Sequence, residues 1–164
     1  MATMIECESI YGDRKLIPKE KLVFRPSVYG IIVHEDRIAL VSNRSSGKYF
    51  LPGGGVEIDE TLRDALRREV KEETGLEIEI ERFAFFREGF FYYDPEDIAF
   101  HTFSFFFVCG PKTLEMVDDN RVNDLEAEKP RWVVLEDVSA RDFQICGDEV
   151  IQTAREISST AKQV

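Results

Sequence analysis

Three carboxylates fall close together in this chain, Glu69, Glu72 and Glu73, and they end a segment, PGGGVEIDETLRDALRREVKEETGL, that runs from Pro52 to Leu76. At about 100° per residue, Leu62, Ala65 and Leu66 draw one apolar stripe, and Glu69 and Glu73 continue it with Val70 and Glu72 on its flanks. Arg63, Asp64, Arg67, Lys71 and Thr74 take the opposite, solvated side. Acids on the inward face are costly. Like charges three and four apart, close to the negative end of a helix dipole, each cost about 0.2–1 kcal/mol, and an unpaired buried carboxylate costs several more. A cation would offset that cost, and oxygen ligands without His or Cys suit Mg²⁺ or Mn²⁺. The competing reading is a solvated helix whose glutamates pair with Arg or Lys, as charge runs usually do. Gly53-Gly54-Gly55 just upstream favours a ligand, because a glycine turn lets backbone approach one closely. Spacing alone leaves both readings open.

A helix over residues 62–74 must position these acids. Thr61 with Asp64 three residues on is a variant of the capping box, and Gly75 supplies a left-handed stop.

These residues resemble the box of the Nudix hydrolases: G, five residues, E, seven residues, then R-E-U-x-E-E-x-G-U with U aliphatic. Gly54, Glu60, Arg68, Glu69, Val70, Glu72, Glu73, Gly75 and Leu76 fill every fixed position, and only Ile58-Asp59 departs, where many members have Pro-Gly. The resemblance implies an α/β fold, a Nudix-type α/β/α sandwich with a mixed central sheet. It implies hydrolysis of a diphosphate linkage in a nucleoside diphosphate derivative, with Mg²⁺ or else Mn²⁺. Glu69, Glu72, Glu73 and the Gly53 carbonyl are the implied metal ligands, and Gly54, Glu60 and Arg68 the supports that hold loop and helix in register. Glu69, one turn inward from the ligand pair, is the expected general base, the alternative being a loop residue, as in parts of the family. The family often brings one more carboxylate from the loop before a Trp, which points to Glu126 ahead of Trp132, with Glu128 second. The resemblance leaves the oligomeric state open, a homodimer being the form that many relatives take. The alternative from another class is a Nudix-fold domain that binds a nucleotide without cleaving it. Such proteins commonly lose box carboxylates, and this chain keeps them.

Outside the box, Arg44 and Lys48 stand in the polar loop that leads to the glycine turn, and either contacts phosphate or serves loop solubility. Tyr92, Tyr93 and Pro95 lie near positions used by different subfamilies and do not choose a substrate. His101 alternates within an apolar strand and reads as structural.

Composition bounds the rest. The chain has 164 residues, 43% hydrophobic, enough for one domain over 1–164. A net charge of −11 argues against a nucleic acid polymer as partner and leaves a small phosphorylated metabolite delivered with metal. Cys7, Cys109 and Cys146 show no CxxC pattern, and the opening MATMIECES has neither a basic leader nor an apolar core, so a cytoplasmic location is expected. No apolar run approaches the roughly 20 residues of a membrane helix.

Alternation and turn residues place the strands. Residues 4–11 form an edge strand, and Ser27–Val33 with Arg37–Val41 form a hairpin. Leu76–Ile80 is a short strand, and Phe83–Tyr93 and Phe100–Val108 are two aromatic strands about a turn at 94–97. Ten of the 13 Phe lie between Phe83 and Phe107, most of them expected in the core and some able to form a wall for a stacked base. Residues 110–131 read as a long loop before a strand at Trp132–Leu135, and Asp148 as the cap of a last helix over 149–161.

Overall fold

The computed structural model describes residues 3–119 and 126–161. Among these, the strands are β1 (Met4–Ser9), β2 (Arg14–Pro18), β3 (Leu22–His34), β4 (Arg37–Asn43), β5 (Tyr49–Phe50) and β6 (Gly53–Gly55), then β7 (Ile78–Tyr93), β8 (Ile98–Pro111) and β9 (Ala127–Val134). Helix α1 spans Leu62–Thr74 and α2 spans Gly147–Ala161. The sheet order is β2-β1-β7-β8-β3-β4-β5, with β6 against β3 and β9 against β4. β3 and β8 run parallel from Leu22↔Ala99 to Ile32↔Cys109, as do β1 and β7, while the other pairs are antiparallel. The sheet is therefore mixed.

A parallel strand between two helical layers is buried on both faces, and the run Ile31-Ile32-Val33 is what such a strand needs. Val28 and Ile32 join Phe107 and Cys109 under Ala65, Leu66 and Val70 of α1. Ile31 and Phe106 join Val150, Ile151 and Ala154 of α2 on the other face. The sheet lies between the helices in the expected α/β/α sandwich. Leu66 and Val70 are fully buried, each stabilising by about 1.5–3 kcal/mol relative to exposure.

Helix α1 has the expected bounds. The Asp64 N–H donates to Thr61 Oγ1 at 3.2 Å, and Gly75 ends the helix at φ 77°. Two residues differ from the helical wheel: Val70 is core, and Thr74 is wholly buried. Thr74 Oγ1 donates to the Val70 carbonyl and accepts from the Leu76 N–H, so the chain leaving the helix covers the side chain that periodicity alone assigns to solvent.

Other elements correct the sequence reading. β1 is not an edge, because β2 pairs outside it. β3 and β4 pair only at Val33↔Ile38 and His34↔Arg37, since β3 is otherwise taken up by pairing with β6 and β8. Leu76–Ile80 and Phe83–Tyr93 merge into one strand, β7, in which irregularities between Ile80 and Arg82 and between Phe83 and Phe85 shift the alternation. The stretch 110–131 begins inside β8 and ends inside β9, while 120–125 lie outside the described residues. Asp148 sits in the first turn of α2 rather than capping it. Of the ten clustered Phe, only Phe106 and Phe107 are buried, and Phe83, Phe86 and Phe90 are exposed.

Candidate active site

Helix α1 and strand β6 meet at a cavity of about 460 Å³. The helix contributes Glu69 and Glu73, β6 contributes Gly53, Gly54 and Gly55, and Glu126 is the residue just before β9. β6 is seated by its pairing to β3, Tyr29↔Gly53 through Ser27↔Gly55. Glu69 is 9% exposed and Glu73 5%. The Gly53 N–H donates to Glu73 Oε2 at 2.9 Å, and a Cβ on Gly54 would stand 2.8 Å from the Glu69 carboxylate carbon. The turn is glycine at 53 for a firmer reason: φ is +147° there and a Cβ would lie 2.1 Å from the Val28 carbonyl oxygen.

Arg68 organises the outer rim. Its Nε and Nη2 donate to the two oxygens of Glu60 at 3.0 and 2.5 Å, its Nη1 to Glu69 Oε1 at 2.9 Å and Glu72 Oε2 at 3.3 Å, and its Nη2 also to the Gly55 carbonyl at 3.2 Å. A planar fork can satisfy this set and an ammonium cannot. The Arg68 bond, followed by the Glu57 N–H, holds the Glu60 carboxyl below its ordinary value, and Glu60 in turn raises the guanidinium.

The sequence-predicted residues therefore separate into two groups. Gly53, Gly54, Glu69, Glu73 and Glu126 share one cavity, with Glu60 and Arg68 behind it. Glu72 is turned onto Arg68, its side chain 35% exposed, and lies off the lining. Arg44 and Lys48 are not brought to the cavity: Arg44 pairs with Glu128, and Lys48 donates to the Arg141 carbonyl. Glu128 is engaged by Arg44 and Lys129 instead of facing the cavity.

Among the described residues no three His, Cys, Asp or Glu stand in a grouping that could hold a metal ion as placed, because Arg68 draws Glu69 and Glu72 outward while Glu73 is tied to the turn. The donor chemistry nonetheless fits a hard divalent cation. Two deeply buried carboxylates meet the glycine turn, where a single Cβ at position 54 would occupy the space beside Glu69, and Glu126 lines the same cavity.

Arg25 was not anticipated. Among the described residues it is the one Lys or Arg on the lining, its guanidinium 4.7 Å from the Phe100 ring centre and its Nε 3.5 Å from where a Gly55 Cβ would be. Nothing in its local sequence marks it. Only the Ser27↔Gly55 register brings it to the site. The thiols offer no nucleophile: burial pushes Cys109 up to about 12 and Cys146 to about 11, and raises Cys7 as well.

The chain is similar to several known proteins. The model of the NUDIX domain matches residues 23–153. A MutT-like protein of Streptomyces ambofaciens is 43% identical over 56 residues, 34% of this chain and 36% of that protein. An ADP-ribose pyrophosphatase of Methanocaldococcus jannaschii is 42% identical over 65 residues, covering 37% of this chain and 38% of that protein. The matched parts thus span well under half the length of either relative. Among solved structures, the MutT protein from Methanosarcina mazei Go1 superposes with a TM-score of 0.62 at 23% identity, covering 83% of this chain and 96% of that one, a likeness of fold.

Proposed function

The chain belongs to the NUDIX domain family, and from that premise we propose that it is a pyrophosphohydrolase acting on a nucleoside diphosphate derivative with Mg²⁺. The observation that carries the reading is the convergence of buried Glu69 and Glu73 on the Gly53–Gly55 turn at one cavity. Pyrophosphatase activity in the name of the Methanocaldococcus jannaschii relative supports the reaction class.

Glu69, Glu73 and Glu126 would hold the cation, with Glu72 joining them by leaving Arg68. A divalent cation held there would supply charge neutralisation to the diphosphate oxygens and a lowered pKa to the attacking water. The residues of the chain do the rest. Arg25, rather than Arg44 or Lys48, grips the diphosphate, since its guanidinium is the cationic side chain on the cavity wall. Glu69 takes the proton of the attacking water; its Oε1 accepts a hydrogen bond from Arg68, which fixes the carboxylate's direction.

The test is release of nucleoside monophosphate from a panel of nucleoside diphosphate derivatives with Mg²⁺, in H₂¹⁸O to locate the attacked phosphorus. Metal-dependent cleavage of at least one member is expected. Saturable binding of these compounds with no cleavage of any would make the protein a nucleotide-binding domain instead.

A further inference from the structure

The face of the sheet on which α1 packs also carries an aromatic surface that the helix does not bury. Cross-strand register sets the side chains of β7, β8 and β3 in rows on this face: Phe90, His101 and Phe24 in one, and Glu88, Phe103 and Pro26 in the next. The rings touch one another. The His101 ring centre lies 4.5 Å from those of Phe90 and Phe103 and 5.4 Å from that of Phe24. Phe86 against Phe105 and Phe83 against Phe107, at 5.2 and 5.7 Å, carry the surface up to α1. Phe105 and Phe107 pack into the core beneath that helix, whereas Phe24, Phe83, Phe86 and Phe90 do not.

That surface has the size of an interface. Phe24 is 73% exposed, Phe83 50%, and Phe86 and Phe90 38% each. With roughly 200 Å² to a Phe side chain, these four alone leave about 400 Å² of apolar surface in water. Half-buried His101 and Phe103 add to it. One side of a standard interface covers about 800 Å², a little over half of it apolar.

Charge selects the partner. The chain carries a net charge of −11, so two copies repel wherever carboxylates face one another. In the two rows Glu88 is the one acid, and its Oε1 lies 2.7 Å from His101 Nε2. A basic partner would meet no other carboxylate there, and an anionic one no Lys or Arg. A second copy brings the same aromatic surface, with its one acid already engaged.

We propose that this face pairs with the same face of a second copy of the chain about a two-fold axis. Such a contact closes on itself, so it uses the patch on both copies and stops at the dimer. Strand alternation turns Arg25, next to Phe24, to the opposite face, where it lines the cavity beside Glu69, so pairing does not draw on it. The dimer stands whether or not the chain cleaves a diphosphate.

Sedimentation velocity of the full chain reads the association state of wild type, Phe24→Glu, Phe90→Glu and Leu16→Glu, with circular dichroism to check the fold. Leu16, on β2, is exposed and lies outside the patch. Wild type and Leu16→Glu should be dimers at about 10 µM. Each Phe substitution should weaken the dimer by at least about 30-fold. Hydroxyl-radical footprinting needs no variant: oxidation of Phe24 and Phe90 in wild type should fall severalfold between dilute and concentrated protein, while that of Leu16 stays constant. A wild type that remains monomeric at about 100 µM, a dimer intact in both Phe variants, or a footprint that ignores concentration would overturn the pairing. So would assemblies larger than a dimer, or a monomer that floats with phosphatidylcholine vesicles, which would give the patch to a lipid surface.

Discussion

The Gly53 N–H donates to Glu73 Oε2 at 2.9 Å, tying the glycine turn to the last turn of α1 across twenty residues of sequence. A buried carboxylate that accepts a backbone N–H is held in one direction, here at the edge of the cavity that Glu73 lines. The turn and the helix thus behave as one unit.

Two neighbouring glycines should respond differently to Ala. At Gly53 the positive φ and the Val28 carbonyl leave a Cβ no room, so Gly53→Ala is expected to lower the melting temperature or prevent folding. At Gly54 the added Cβ meets the far end of a flexible side chain, the Glu69 carboxylate. Gly54→Ala should keep a near-native melting temperature while turnover falls by about 100-fold or more. Equal stability losses in the two variants, by thermal unfolding, would refute the distinction.

Arg68→Lys keeps the charge but loses the fork that reaches Glu60, Glu69, Glu72 and Gly55 together. Its kcat should drop about tenfold or more with a smaller change in KM, because the residue positions carboxylates and does not grip substrate. A rise in KM alone would assign Arg68 to substrate binding.

Asp94 offers a pH test remote from the site. It accepts from Ser9 Oγ at 2.6 Å, from the Ile10 N–H at 3.2 Å and from Lys15 Nζ at 2.5 Å, locking β1 and β2 to the β7–β8 turn. Burial alone would raise its carboxyl, but the bonds from Lys15 and Ser9 outweigh that and hold it below the ordinary 3.8. A depressed carboxylate stabilises the fold above 3.8 and loses that contribution as pH falls through its lowered folded value. Asp94→Ala should therefore be less stable by about 1–3 kcal/mol at pH 7, and the gap from wild type should narrow below pH 3.8. Urea unfolding at neutral and acid pH measures it, and a constant gap would count against this role.

What could be read from the sequence was local. The bounds of α1 follow from Thr61, Gly75 and a helical period, and the same period turned Glu69 and Glu73 inward. Thr74 was misplaced because the segment that buries it comes from the chain after the helix. Arg25 was invisible for a related reason: it reaches the site through the β3–β6 register. Hydrophobic counting also overrated the Phe cluster, because alternation along a strand cannot say which of its faces another element covers.

The central claim, that the inward carboxylates of α1 hold a divalent cation at the glycine turn, is tested most directly by Mn²⁺ titration of wild type and Glu73→Gln followed by the free-ion EPR signal. Glutamine keeps an oxygen for the Gly53 N–H, so the fold should survive, with a melting temperature within a few degrees of wild type. The expected result is Mn²⁺ affinity weakened by about tenfold or more. Equal Mn²⁺ affinity in the two proteins would contradict the account.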